Sequence, residues 1–184
     1  MLYTRRGDDG TTKTFGCDQR ISKSSSVAEA LGTLDEINSF LGICKVRAKE
    51  AGLVLPGGVL CHEAVHGVQK NLFIVQAELA GSQMSITEDK VKEVEAMIDA
   101  IEKELPPIKS FFISGGLELG ATFDFARTLS RRAERRVVGV AEEGNVAVGE
   151  FTRKYLNRLS SILYALARFA NHSAGVVEEG PDYK

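Results

Sequence analysis

Apolar side chains recur at three- and four-residue intervals along most of this chain, which is the period of an amphipathic α-helix. The first stripe of this kind predicts a helix over about residues 27–50. Ser26 directly precedes it and Glu29 lies three residues further on, so we expect these two to form an N-terminal capping box. The stripe consists of Val27, Leu31, Leu34, Leu41 and Ala48, with Ile37 and Cys44 between them.

Four further segments have helical character. A heptad-like stripe runs from Cys61 to Leu79, and Gly81 and Ser82 end it. A third helix is predicted after Thr87, which we expect to cap it, and the pair Pro106–Pro107 stops it. A fourth is predicted over about 117–142 and a fifth over about 147–173. Because strand signals are nearly absent, the pattern predicts an all-α helix bundle.

The predicted bundle covers about residues 27–173 of a single domain over 1–184. Residues 1–26 have no sustained period and are predicted to be irregular. Residues 174–184 are acidic and contain glycine, so we expect a flexible tail.

Composition adds limits on function. The chain has 184 residues, 43% hydrophobic and 26% charged, with a net charge of −2, so no overall basic field favours nucleic acid or an anionic membrane. Three cysteines without a CxxC motif indicate neither a disulfide framework nor a zinc knuckle. The N-terminus carries no apolar leader sequence, and we expect a soluble, cytoplasmic protein.

The fourth helix carries "RTLSRRAERR", residues 127–136, in which arginines recur at one-turn intervals. Such a run is often a solvated basic face. Guanidinium groups on one face repel each other, however, so an anion or a carboxylate from elsewhere would explain them better. In "GTLDEINSFLG" of the first helix, Asp35 shares a polar stripe with Asn38 and Gly42. This stripe is either a tolerant exposed face or a surface for a partner helix or cofactor.

Two loops and one histidine motif are also candidate sites. "GDDGTTKT", residues 7–14, resembles a phosphate-binding loop in kind, although its spacing is not that of a Walker A motif. "IKSFFISGG" places the apolar pair Phe111 and Phe112 in a loop that ends in two glycines. "HEAVH", from His62 to His66, fits H-E-x-x-H, but the only other histidine is His172, and an ordinary helix explains the spacing as well.

Together these segments resemble the PduO-type ATP:cob(I)alamin adenosyltransferase family. The resemblance spans about residues 3–170 and rests on segments in the family's order. Two positions depart from the family pattern: Ser161 stands where an Asp is usual, and Ser114 stands where a Pro is common. The matching segments are "YTRRGDDGTT", "RISK", "GTLDEINSFLG", "FFISGG", "RTLSRRAERRVV" and "YLNRLSSILYALAR".

The resemblance implies a five-helix bundle, ferritin-like or cobalamin adenosyltransferase-like, that forms a homotrimer with active sites between subunits. It implies transfer of the 5′-deoxyadenosyl group of ATP to cob(I)alamin, with Mg²⁺ held mainly through the ATP phosphates rather than by protein ligands. A cobalamin reductase and an adenosylcobalamin-dependent enzyme are possible partners. The implied ATP contacts are Thr4, Arg5, Arg6, Gly7, Thr12, Lys13, Lys23, Arg131, Arg132, Ala133, Glu134, Arg135 and Asn157.

Four residues are implied to act in the reaction itself. Arg131 and Arg135 would stabilise the triphosphate leaving group, and Asp35 would pair with Arg131 across the subunit interface. Phe112 would occupy the space of cobalamin's lower ligand and leave cobalt four-coordinate, with Phe111 as the alternative. Other functions consistent with the residues are a non-catalytic corrinoid carrier of the same fold, a zinc hydrolase using "HEAVH" and a nucleic-acid-binding helical protein.

Overall fold

The computed structural model describes residues 3–14, 20–144 and 146–183. Within these residues the chain forms five α-helices and one short two-stranded sheet. The all-α bundle predicted from the apolar stripes is therefore confirmed. The helices are α1 (Ser26–Glu50), α2 (Cys61–Leu79), α3 (Glu88–Glu104), α4 (Glu118–Glu143) and α5 (Glu150–Ser173).

Each helix packs against one or two of the others. Helix α1 packs against α2 and α4, and α5 packs against α4 and α3. Their apolar stripes meet in one core, in which Leu34, Phe123 and Leu163 are almost completely buried. Burial of this apolar surface is the main force that holds the bundle together. The polar faces of α1 and α4 remain near the surface, where the candidate site lies.

The start of α1 differs from the prediction by one residue. Ser25, not Ser26, is the N-cap: its backbone is extended and its side chain accepts a hydrogen bond from the Ala28 backbone N–H. Three consecutive serines made this position ambiguous, because each has a side chain able to cap a helix. The hydroxyl of Ser26 instead donates to the carboxylate of Glu143 on α4.

Helix α5 begins at Glu150, three residues later than predicted, and its first turn is capped by a distant residue. Oε1 of the buried Glu78 on α2 accepts from the Gly149 backbone N–H at 2.6 Å. The hydroxyl of Thr152 donates to the other oxygen of the same carboxylate. A carboxylate at a helix N-terminus accepts hydrogen bonds from free N–H groups and interacts favourably with the positive end of the helix dipole. This cap depends on tertiary contact, so local sequence did not reveal it.

The N-terminal segment is more regular than predicted. Strand β1 (Thr11–Lys13) pairs antiparallel with β2 (Arg20–Ser22), with Thr12 opposite Ile21. Strands of three residues are too short to give a recognisable alternation of apolar and polar positions. Side chains of Arg20 and Lys23 add hydrogen bonds to this strand pair and to the loop before it, as described below.

The chain after α5 contacts the rest of the protein at two points. The carboxylate of Glu178 forms an ion pair with Arg168 at 2.7 Å, and the Glu179 carbonyl accepts from the Ile113 N–H at 2.8 Å. The segment therefore lies against the loop between α3 and α4. One of its carboxylates thus pairs with an arginine that is only 5% exposed.

None of the helices described here combines the length and apolar character required to cross a membrane.

Candidate active site

Two hydrogen bonds from Lys23 to backbone carbonyls close the loop that contains "RRGDDG". The Nζ of Lys23 donates to the Gly7 carbonyl at 2.8 Å, and the Lys23 backbone N–H donates to the Gly10 carbonyl at 2.9 Å. Gly10 has a φ of 78°, a conformation that glycine adopts without strain. The side chains of Thr4, Arg5 and Arg6 are exposed on this loop. The predicted contacts Gly7 and Lys23 thus lie together.

Arg20 organises this loop, and the sequence analysis did not single it out. Its guanidinium donates to the Thr11 hydroxyl at 2.6 Å, to the Thr11 carbonyl at 2.9 Å and to the Arg6 carbonyl. The carboxylate of Asp9 accepts from the Thr11 N–H and hydroxyl, and these hydrogen bonds lower the Asp9 pKa. A lone arginine near a polar loop carries no periodic signal, so only the fold showed this role.

Three of the five arginines on α4 are paired within the chain. Each lies close enough to a carboxylate for an ion pair, and two of the three carboxylates belong to α1, so the pairs join the two helices. The pairs are Arg127 with Asp124, Arg132 with Glu36 and Arg136 with Glu29.

Arg131 and Arg135 differ from these three. Both are exposed, and within the described part of the chain neither side chain makes an ion pair or a hydrogen bond. They lie one turn apart on α4, so both guanidinium groups face the same side of the helix. Two unpaired cations at this spacing provide a surface for a multiply charged anion.

Two other predicted contacts, Glu134 on α4 and Asn157 on α5, meet each other. Nδ2 of Asn157 on α5 donates to Oε1 of Glu134 at 3.0 Å, and Oδ1 of Asn157 accepts from Arg158 at 2.7 Å. Glu134 and Arg158 therefore orient the exposed amide of Asn157. Ala133 has a different environment: its side chain is completely buried in the core and is not available to a ligand within this chain.

A cavity of about 770 Å³ opens beside Arg131, between α4, α5, the loop before α4 and the C-terminal segment. This volume is within the usual range for a small-molecule site. Phe112 lines the cavity, is partly buried and packs outside the hydrophobic core. Phe111 is 81% exposed. Ser114 and Ser161, the two departures from the family pattern, also line this cavity.

Polar groups on the cavity wall have altered acidity. Desolvation raises the pKa of Asp124, although the neighbouring Arg127 opposes the shift. Desolvation also raises the pKa of Tyr164, whose ring centroid lies 5.8 Å from the Arg127 guanidinium carbon. The cavity therefore combines an apolar loop with a partly desolvated polar wall.

Asp35 lies in a different place. It is exposed and lines a groove of about 480 Å³ with Lys13, Thr14 and Phe73, between the N-terminal segment, α1 and α2. Among the described residues, none from the N-terminal segment lines the cavity that contains Arg131. The single chain thus places the predicted residues in two groups, one in the groove and one at the cavity.

The histidines of "HEAVH" lie on α2. His62 is partly buried and His66 is exposed, one turn further along the helix. Over the described ranges, no three or more His, Cys, Asp or Glu residues are grouped closely enough to hold a metal ion.

Comparison with known proteins places the chain in a family. The family model for cobalamin adenosyltransferase matches residues 2–170. The corrinoid adenosyltransferase PduO of Citrobacter freundii is 39% identical over 180 residues, which cover 94% of this chain and 50% of that protein. The corrinoid adenosyltransferase of Bacillus subtilis is 36% identical over 179 residues, covering 95% of this chain and 89% of that protein.

A solved structure is similar throughout. A variant PduO-type ATP:corrinoid adenosyltransferase from Lactobacillus reuteri, complexed with cobalamin and ATP, superposes with a TM-score of 0.86 at 26% identity. The match covers 98% of this chain and 99% of that one. This chain belongs to the cobalamin adenosyltransferase family. It spans about half the length of the PduO proteins of Citrobacter freundii and Salmonella typhimurium.

Proposed function

We propose that this protein transfers the 5′-deoxyadenosyl group of ATP to the cobalt of cob(I)alamin and releases triphosphate. The observation that carries the proposal is the pair Arg131 and Arg135, two exposed guanidinium groups one turn apart on α4 that have no ion-pair partner within the described residues. Arg131 also lines the cavity. Triphosphate is a concentrated polyanion, and bidentate arginines stabilise such a leaving group. Family membership and the ATP and cobalamin bound in the similar structure support the same reaction.

The reaction requires alignment more than activation of a protein group. Cob(I)alamin is itself a strong nucleophile: its cobalt supplies both electrons of the new Co–C bond. The bond from C5′ to the phosphate oxygen breaks, and its electrons leave with triphosphate. The chain therefore needs no nucleophile of its own, and its residues hold the two substrates in line and stabilise the leaving group.

Most of the predicted residues have a part in this scheme. The loop of Thr4 to Gly7, with Thr12, Lys13 and Lys23, holds the phosphates, and Glu134 and Asn157 orient the nucleotide beside Arg135. Phe112 occupies the lower axial side of the corrinoid, which keeps cobalt four-coordinate and easier to reduce. Its position at the cavity and outside the core supports this role over one in core packing.

Mg²⁺ is part of the proposal, bound mainly through ATP. Mg²⁺ usually keeps several waters and takes only one or two protein ligands beside phosphates. The donors present fit that mode: the Thr11 hydroxyl is used by Asp9, and the Thr12 hydroxyl makes no hydrogen bond within the described residues. Thr12 is therefore the candidate protein ligand. Bound Mg²⁺ would neutralise charge that develops on the leaving phosphates.

The same proposal includes a homotrimer. Lys13 of the N-terminal segment and Arg131 line different pockets of one chain, so a neighbouring subunit would complete a site that uses both. In this arrangement Asp35 of one subunit would pair with Arg131 of the next. Exposed apolar side chains such as Ile43, Phe73 and Phe125 would be covered in the assembly. We propose a single domain over residues 1–184, located in the cytoplasm.

The test is an anaerobic reaction with ATP, Mg²⁺ and chemically reduced cobalamin. We expect adenosylcobalamin and intact triphosphate in equal amounts, measured by visible absorbance and ion-exchange chromatography. Binding of both substrates without any product would instead indicate the non-catalytic carrier. A matched reaction without reductant controls for light absorption by unreacted cobalamin.

A further inference from the structure

Helix α5 holds both ends of the loop that carries Phe112. The Arg168 guanidinium donates to the Pro106 carbonyl at 3.0 Å, at the point where the loop leaves α3. One turn further along α5, Asn171 accepts from the Leu117 N–H at 3.0 Å and donates to the Gly115 carbonyl at 2.9 Å. The loop is therefore fastened at its start and at its end to a single helix.

Arg168 also contacts the ring of Phe112. Its guanidinium carbon lies 5.1 Å from the ring centroid, within the range of a cation–π interaction. The residue is 5% exposed, and removal of water strengthens this kind of attraction. Phe111 is 81% exposed, and no cation–π contact to its ring is found in the described parts of the chain. The contact distinguishes the two adjacent phenylalanines.

A buried guanidinium needs a partner, because an unpaired charge away from water is very unfavourable. Glu178 of the C-terminal segment provides it: its carboxylate accepts from the Nε of Arg168 at 2.8 Å and from a terminal nitrogen at 2.7 Å. This two-bond geometry fixes the plane of the guanidinium. The plane in turn fixes where a stacked aromatic ring can lie.

We propose that Arg168 is the positioning residue for Phe112 and that Glu178 holds Arg168 in the required orientation. The inference rests on the proposed function, because it assigns Arg168 to the corrinoid side of that site. Arg168 acts through the ring and does not need to touch either substrate. The C-terminal segment then contributes to the site by fixing the arginine on which Phe112 rests.

The alternative is that Arg168 only anchors the C-terminal segment. In that case its loss lowers stability and impairs all functions alike, with no special link to Phe112. The two explanations differ in a double-mutant cycle. Residues that act through one another show less than multiplicative effects when both are changed.

The experiment compares Arg168→Met, Phe112→Ala and the double variant, with Arg153→Met as a matched control on an exposed arginine of α5. For Arg168→Met we expect kcat to fall about tenfold while KM for ATP stays within about twofold. In the Phe112→Ala background, the same change should lower kcat by less than about twofold. Arg168→Lys keeps the charge and should recover part of the loss.

A spectroscopic readout separates this inference from the proposed function. Enzyme-bound cob(II)alamin with ATP should show less of its four-coordinate visible spectrum in Arg168→Met than in wild type. An unchanged spectrum, or a full tenfold loss in the Phe112→Ala background, would overturn the positioning role. Failure of the wild type to form adenosylcobalamin would instead reject the proposed function. If Arg168→Met does not fold, Glu178→Gln applies the same test: a decrease in the four-coordinate spectrum supports the role, and wild-type behaviour contradicts it.

Discussion

The carboxamide of Asn171 packs so closely against Gly120 that no side chain fits between them. A Cβ built on Gly120 would lie 2.8 Å from Cγ of Asn171, and one built on Gly116 would lie 2.7 Å from its Oδ1. The two glycines thus allow α5 to reach the start of α4. Gly116, the second glycine of "SGG", and Gly120 inside α4 therefore have one common cause, the Asn171 contact.

We expect Gly120→Ala to destabilise the protein. Forcing a methyl group into a packed site costs about 1–3 kcal/mol, partly offset by a helix-propensity gain of about 1 kcal/mol. Urea unfolding followed by circular dichroism measures the difference. Gly139→Ala is the matched control, since a Cβ there meets nothing within 4 Å, and it should be neutral or stabilising. Equal free energies of unfolding for the two variants would contradict the contact.

Arg135→Lys tests the paired guanidiniums on α4. We expect kcat/KM for ATP to fall at least about tenfold, because a point charge cannot replace a bidentate fork. Steady-state adenosylation kinetics check this. Arg136→Lys is the control, because Arg136 already pairs with Glu29 within the chain. Values for Arg135→Lys within twofold of wild type would remove Arg135 from the site.

Asp35→Asn tests the contact between subunits. Asp35 and Arg131 line different pockets of one chain, and the proposed pairing would join Asp35 of one subunit to Arg131 of another. We expect the variant to impair corrinoid handling and trimer formation more than ATP binding. Sedimentation velocity and substrate titrations measure these effects. If Arg131→Ala adds its full separate cost in the Asp35→Asn background, the two residues are not coupled.

Two buried thiols should resist modification. Desolvation raises the pKa of Cys44 and of Cys61 to about 12, from an ordinary value of 9.0, so few thiolates exist at neutral pH. In a Cys17→Ser variant, neither thiol should react with DTNB at pH 8 until urea is added, and two should react afterwards. Stability should fall as pH rises above 9 towards 12, because only the unfolded thiols ionise there. Rapid reaction of the native variant would contradict the burial.

The "HEAVH" segment should be dispensable for the reaction. We expect His62→Ala to retain adenosylation near the wild-type rate, and the purified protein to contain no stoichiometric zinc. Elemental analysis and activity assays decide this. One zinc per chain, lost together with activity in the variant, would favour the hydrolase alternative.

The sequence by itself determined the helices and their apolar faces. Stripes such as Val27, Leu31 and Leu34 are local patterns, and a helix with one apolar face must bury it against another helix. The sequence determined the helix ends less well. It predicted Ser26 as the N-cap of α1, whereas the structure has Ser25, because any of three adjacent serines is able to cap this helix. The family resemblance was also visible in the sequence, because it rests on short segments that occur in the family's order.

Only the tertiary structure decided which charged groups are paired. The five arginines of α4 look alike in the sequence, yet three have carboxylate partners, whereas Arg131 and Arg135 have none in the part of the chain that the structure describes. The same holds for Glu78 at the start of α5, Arg20 in the N-terminal loop, and Arg168 with Glu178 beneath Phe112. These contacts join residues from separate elements, and their geometry depends on how the helices pack. Local periodicity contains no information about them.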